Sequence, residues 1–252
     1  MFRDSFISFL ESGGIEFEER DGLVFVFPGR KLRINLVPLG AKALEGDYLH
    51  IFEDRWNSSG ECLRKRILAH LGVFRSIFAR NCTVSRIDAP LADSFLDKYH
   101  SYGRSQSRYR YGLFLKGELV AVSTFSGKRT MNRESGPVDS YEWIRCACLP
   151  EARISGGMGK MLSAFINDVH PSEVMSYADL EWSDGAAYRA LGFREAGRRA
   201  PVSFYVDTVS WVRTPAARIA EPAQTQVMIT NLGSVKYLLS DILLTLRKEY
   251  NI

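Results

Sequence analysis

The chain has 252 residues, 46% of them hydrophobic and 25% charged, and a formal net charge of +4. That length suits one large domain or two small ones with a real core, and the composition is that of a soluble globular protein. No apolar run is long enough to span a bilayer, and no charged-then-apolar leader opens the chain. The mild basic excess allows a nucleic-acid partner without demanding one. Cys62, Cys82, Cys146 and Cys148 show no CxxC spacing, so free thiols and a cytoplasmic setting are expected, with no metal site.

Residues 2–12 have the pattern of a short amphipathic helix, closed by Gly13-Gly14. Residues 15–39 read as strands, with Asp21-Gly22 as a hairpin turn and a strand over 29–38. Residues 48–56, YLHIFEDRW, read as one more strand, and 61–71 as a basic helix carrying Arg64, Lys65 and Arg66. Together these make a small α/β module over 1–82. His50 sits on its apolar strand as a hydrogen-bonded core histidine. Glu16, Glu18, Glu19 and Asp21 read as a solvated acidic hairpin.

A second domain is expected over 83–213. A strand opens it, then a helix over 90–99, then a polar turn, then a hairpin at Lys116-Gly117. The turn is dense in arginine and aromatic residues: Tyr99, His100, Tyr102, Arg104, Arg108, Tyr109 and Arg110. That interleaving suits phosphate contacts and base stacking, or simply a surface loop. A strand over 141–149 follows and ends at Pro150. Ile154, Ser155, Gly156, Gly157, Met158, Gly159 and Lys160 then form a glycine-rich entry to a helix, whose apolar stripe is Met161, Leu162, Phe165, Ile166 and Val169. Such an entry offers free N–H groups to an anion. A strand over 174–178 and a helix over 184–191, stopped by Gly192, complete the unit. Residues 201–212 read as a final strand pair of the same sheet. Residues 214–252 read as a linker and a helix with Leu238, Leu239, Ile242, Leu243 and Leu246 on one face, for packing or homodimerisation.

The order of elements, with GMGKML and YRALGF about thirty residues apart, resembles the GNAT N-acetyltransferase superfamily. The resemblance implies an α/β (α+β) fold: a mixed, mostly antiparallel sheet flanked by helices. It implies acetyl-CoA or a related acyl donor as cofactor, with its pyrophosphate on the loop Ile154 to Lys160. The strands over 141–149 and 174–178 would run parallel and splay at their ends, the pantetheine arm would lie along the strand of Cys146 and Cys148, and Tyr188 would protonate the leaving thiolate. Ile154 stands where the family pattern carries Arg or Gln.

Two finer resemblances point to DNA. The phrases FLDKYHSYGRS, GLFLKGELVAVSTF, EWIRCACLP and SYADLEWSDGAAYRALGF are similar to the phage Mom-like DNA-modification branch. That implies transfer to the exocyclic amine of adenine, with His100, Arg145 and Asp179 at matching positions. HIFEDRW, the basic helix and FARNC resemble the end of a phage nuclease related to very-short-patch repair endonucleases; the resemblance implies metal-binding carboxylates, for which Glu16, Glu18, Glu19 and Asp21 are the candidates, and, without the expected aromatic–His pair, a degenerate relic.

On this reading Asp179 or Glu142 takes a proton from the amine, and Arg145 holds an anion. Tyr99, Tyr102, Tyr109 or Trp182 stacks on a flipped base. Plainer roles stand beside these: a Glu142–Arg145 pair, a core Trp182, and Asp179 or Asp184 as caps. An acetyltransferase acting on a protein or small-molecule amine, and a non-catalytic DNA-binding or anti-defence protein, remain alternatives.

Overall fold

The structure, a computed structural model, describes residues 1–134 and 136–240. The chain falls into two units, each assembled from separated segments. Met1–Leu71, Asp179–Asp184 and Arg198–Ser234 make the first, and Gly72–Ala178, Gly185–Gly197 and Val235 onward make the second. This differs from the expected divisions at residues 82 and 213, because residues 198–234 pair among themselves and complete the first unit.

Helix α1 (Phe2–Ser12) points Phe2, Phe6 and Leu10 inward at a spacing of four, as one face of a helix must. Strands β1 (Glu18–Arg20), β2 (Val24–Val26), β3 (Arg33–Val37) and β4 (Leu49–Phe52) form a sheet in that order. The turn at Asp21-Gly22 has positive φ at both residues, 50° and 71°. The strand expected over 48–56 stops at Phe52. Helix α2 (Glu53–Ser58) begins there, with Glu53 and Asp54 in its first turn, where carboxylates favour the helix dipole. Helix α3 (Gly60–His70) follows. Phe6, Phe25, Ile34, Ile51, Trp56 and Ile67 fill the core beneath. His50 is buried, and its Nδ1 lies 3.0 Å from Asn35 Oδ1, which also accepts the Leu44 N–H. An acceptor oxygen there means that Nδ1 carries the proton, and burial pushes the His50 pKa down.

The second unit starts with β5 (Arg75–Phe78) and β6 (Thr83–Arg86). Helix α4 (Ala89–Tyr99) is capped by Asp88, whose side chain accepts the Leu91 N–H, with Pro90 in its first turn. Strands β7 (Tyr109–Leu115), β8 (Glu118–Phe125), β9 (Arg129–Arg133) and β10 (Gly136–Cys148) follow; β8 pairs antiparallel with both β7 and β10, and β9 pairs antiparallel with β10. Strand β11 (Ala152–Ser155) pairs in parallel with β5 and leads into helix α5 (Gly157–Val169). Strand β12 (Glu173–Asp179), helix α6 (Ala186–Ala190) and β13 (Arg194–Arg199) follow. Phe125 stacks on Phe165 of α5 with centroids 4.0 Å apart, so the helix covers the sheet through aromatic contact.

Strands β14 (Ser203–Asp207), β15 (Arg213–Pro215) and β16 (Gln226–Thr230) form their own antiparallel sheet in the first unit. The expected final strand pair therefore does not complete the large sheet. Strand β17 (Ser234–Leu239) does, lying between β12 and β13. The large sheet runs β13-β17-β12-β10-β8-β7-β6, with β9 beside β10: a mixed, mostly antiparallel sheet flanked by helices, as the sequence predicts. Leu238 and Leu239 lie on a strand, not a helix, and Ile242, Leu243 and Leu246 lie outside the described residues.

One ion network ties the first unit together. Arg213 of β15 donates through Nε and Nη2 to both oxygens of Asp54 on α2, and through Nη1 to Glu181 Oε1 at 2.7 Å. The three side chains are 6%, 1% and 1% exposed. Arg55 Nε stands 3.8 Å from Glu181 Oε2. The two carboxylates push the Arg213 pKa up against its burial, and burial raises that of Glu181.

Candidate functional site

The site begins where two parallel strands part. Strands β10 and β12 pair over three rows only: Ser140 with Glu173, Tyr141 with Val174, and Glu142 with Met175. Both continue, β10 to Cys148 and β12 to Asp179, without further rows between them. A bulge in the β8 register follows at once, between Trp143 and Arg145, and kinks β10 at the parting. Ser176 Oγ donates to the Trp143 carbonyl at 2.9 Å across the gap. This is the parallel, splayed pair that the order of elements predicts.

Strand β11 runs the chain from this region to α5. The expected glycine loop is shorter than its seven residues, because Ile154 and Ser155 belong to β11 and helix begins at Gly157. The turn rests on Gly156, whose φ of 78° suits glycine. The first N–H groups of α5 have no intrahelical acceptor, as at any helix start. Gly157 is needed for packing: a Cβ there would lie 2.8 Å from Ile154 Cγ2, whereas one on Gly159 meets only a Leu191 methyl at 3.1 Å. Gly157→Ala is therefore expected to cost about 1–3 kcal/mol, and Gly159→Ala to be neutral or to gain up to about 1 kcal/mol. Thermal melts of the two variants check this, and equal melting points would overturn it.

Lys160 has two of its three ammonium protons engaged within the protein. Its ammonium donates to the carbonyls of Ala79 at 3.0 Å and Cys82 at 2.6 Å. Met158 stands in the first turn of α5, half-buried. Cys146 receives a hydrogen bond from Ser123 Oγ at 3.4 Å, and burial pushes its thiol up to about 12, so it packs as a neutral thiol. Cys148 Sγ donates to the Ala152 carbonyl.

Tyr188 of α6 stands at the parting. Its hydroxyl lies 2.8 Å from Ser176 Oγ. The one Ser176 proton serves Trp143, so Tyr188 O–H donates to Ser176. Its ring stacks on Tyr237 at 5.4 Å and meets the Trp143 edge at 6.0 Å. Burial pushes its pKa up to about 12, so the phenol stays protonated through neutral pH.

Arg145 and His100 meet at the loop after α4. Arg145 is half-buried, which lowers its pKa, and donates to the carbonyls of Gly103 at 3.2 Å and Ile144 at 3.0 Å. His100 is the C-cap of α4, and its Nδ1 accepts the Tyr102 N–H at 3.1 Å. Glu142 does not pair with Arg145. It pairs with Arg129 at 3.4 Å, because the bulge separates the two β10 positions. Asp179 falls in the first unit, where its Oδ1 accepts the Glu181 N–H at 2.9 Å, so it shapes a turn.

The loop residues divide. Tyr99 packs edge-on against Phe95 at 4.7 Å, and Tyr109 lies on β7 between Tyr141 and Phe165. Trp182 is buried in the first unit's core, with the Arg66 guanidinium 4.7 Å from its ring centre. Trp182 is buried, whereas Tyr99 and Tyr109 are half-buried with their rings packed on neighbours. Arg104 pairs with Asp97 at 3.4 Å, and Arg110 donates to the Ser107 carbonyl at 2.6 Å. Arg108 and Tyr102 are exposed. The structure adds Ser176 and Tyr237, which no motif signalled; a small hydroxyl inside an apolar strand was the only hint of Ser176.

In the first unit Glu19 pairs with Arg3 at 2.6 Å and Glu18 with Arg20 at 3.3 Å on the surface. Among the described residues no three His, Cys, Asp or Glu approach closely enough to hold a metal ion, and no helix is long and apolar enough to cross a membrane.

No protein-family profile matches the sequence, and no curated protein is similar to it. Solved structures with a partly similar course include Eis1 from Mycobacterium abscessus (12% identity, TM-score 0.38), where the match covers 50% of this chain and only 34% of that one. The ribosomal-protein-S18-alanine N-acetyltransferase from Escherichia coli shares 15% identity at TM-score 0.38, over 63% of this chain and 92% of that one. A GNAT family acetyltransferase from Elizabethkingia anophelis with acetyl-CoA bound shares 13% identity at TM-score 0.37, over 64% and 98%. At these values any functional reading rests on the chain's own geometry.

Proposed function

We propose that the second unit is a GNAT-type transferase that uses an acyl-CoA donor. The observation that carries the reading is the parting of β10 from β12 beside a glycine turn into α5. Unpaired strand backbone suits an amide-bearing arm, and the helix start suits a pyrophosphate. The residues fit such a donor through backbone alone, since Lys160 is engaged and Ile154 is apolar. A bound acyl-CoA supplies an activated carbonyl with a thiolate leaving group. This chain's contribution is Tyr188, a protonated phenol held by Ser176 at the parting.

The acceptor we propose is an exocyclic base amine in DNA, in the manner of the Mom-like branch. The second unit carries the chain's entire basic excess, while the first has slightly more acids than bases. That distribution favours nucleic acid at the second unit. It gives the first unit, proposed as a nuclease relic, a smaller electrostatic part in binding. Transfer to a protein or small-molecule amine is the other reading, favoured if no nucleic acid binds.

Calorimetry with acetyl-CoA tests the donor. Wild-type protein is expected to bind. Ser155→Glu, at an exposed position before the glycine turn, is expected to weaken binding about tenfold by placing a carboxylate beside the anion site. No heat from the wild type overturns the donor assignment. Mass spectrometry of nucleosides from DNA of expressing cells tests the acceptor, and finding only unmodified deoxyadenosine would sink it.

A further inference from the structure

Four aromatic residues read in the sequence as stacking partners, and the rings of three are packed within their own units. Tyr99, Tyr109 and Trp182 are engaged with other rings or with a core. Tyr102 is 46% exposed. It is also held in place from several directions. Its N–H is accepted by His100 Nδ1 at 3.1 Å, the Gly103 N–H by the His100 carbonyl at 2.9 Å, and the Arg104 N–H by Asp97 Oδ1 at 2.9 Å. Gly103 takes a φ of 61°, and a Cβ there would lie 2.9 Å from Asp97 Oδ1. Arg145 closes the arrangement from the sheet. Its Nε bonds the Gly103 carbonyl, Nη1 bonds the Ile144 carbonyl at the β10 bulge, and Cζ lies 5.8 Å from the Tyr102 ring centre.

Two of the five guanidinium N–H groups serve carbonyls, one on the loop and one on β10, whereas sequence resemblance assigns Arg145 to chemistry. It is well placed to fix a loop. We propose that Arg145 is a positioning residue that latches residues 101–104 onto β10, so that Tyr102 presents a preorganised ring as the stacking platform for a flat, aromatic amine acceptor such as a nucleobase. The inference rests on the transferase reading for the word acceptor, but the latch and the platform are testable without turnover. A rigid ring loses little entropy on binding, and a cation near one face favours an electron-rich partner ring on the other.

Hydrogen exchange read by mass spectrometry tests the latch. In the wild type the amides of Tyr102, Gly103 and Arg104 should be protected. Arg145→Met should speed their exchange about tenfold or more while distant β7 and β8 amides hold. Arg145→Lys, which can still reach one carbonyl, should restore part of the protection. Unchanged exchange in both variants overturns the latch. Binding of single-stranded oligonucleotides tests the platform, comparing an adenine-bearing strand with an abasic strand of equal length. Wild type should prefer the base by about fivefold or more. Tyr102→Ala should erase that preference and leave abasic binding unchanged, and Tyr102→Trp should keep it. Arg145→Met should lose most of it. Equal binding of the two strands by wild type, or binding of neither, overturns the platform. A preference for the base together with no acetyl-CoA binding would leave the platform standing and sink the transferase reading.

Discussion

Arg213→Ala is expected to destabilise the first unit by about 3–5 kcal/mol. The substitution leaves Asp54 and Glu181, each 1% exposed, without the guanidinium that bonds both. A buried pair is a weak source of net stability, but a buried carboxylate stripped of its partner bears the full cost of its lost hydration. Arg55 stands 3.8 Å from Glu181 and offers no equivalent to Asp54. Urea unfolding followed by tryptophan fluorescence reads the effect, since Trp56, Trp182 and Trp211 all lie in that unit. The triple change Arg213→Met, Asp54→Leu, Glu181→Leu should recover much of the loss, because it removes the charges together. A loss below about 1 kcal/mol for Arg213→Ala, the range of a surface pair, would show that the network is solvated.

Tyr188→Phe is expected to lower kcat by about 100-fold or more with KM little changed, the signature of a lost proton donor. The fold should tolerate it. Ser176 keeps its bond to the Trp143 carbonyl, and the ring keeps its stack on Tyr237, so about 1 kcal/mol of stability is at stake. The pKa near 12 sets the sign of the pH dependence: the acid form persists as pH rises through neutrality and is lost only at strongly alkaline pH. The assay is acyl transfer from acetyl-CoA at saturating donor. A variant with wild-type kcat would remove Tyr188 from the chemistry.

Much of the fold was written locally. Gly13-Gly14 closes α1, Asp21-Gly22 and Lys116-Gly117 make hairpins, and the stripe from Met161 to Val169 makes α5. Each signal lies within a few residues of its effect. The parting of β10 from β12 was legible for the same reason, through the order of elements around one glycine turn. What was not legible depended on partners far along the chain. Nothing near Arg213 announces Asp54, 159 residues away. Residues 203–207 read as a strand from sequence, and their pairing with β15 and β16 places them in a separate sheet. Lys160 follows a glycine turn, as a phosphate-binding lysine does, yet the carbonyls of Ala79 and Cys82 claim it. Tyr109 and Trp182 read as candidate platforms because an aromatic residue looks the same in sequence whether its ring meets a ligand or Phe165.

The discontinuity of the first unit also sets a timetable for its synthesis. Residues 1–71 contain α1, four strands and two helices, but Asp54 acquires its counter-charge only after Arg213 has been made. At ~5–20 residues per second the intervening chain takes roughly 8–30 s to emerge. During that interval Asp54 lacks the guanidinium that bonds both its oxygens, so its carboxylate is expected to stay hydrated while the sheet strands from β6 to β12 are delivered. The last-made third of the chain finishes the first-made unit. A ribosome stalled before residue 213 would leave a nascent chain whose opening segment is long since translated and still without the partner of Asp54.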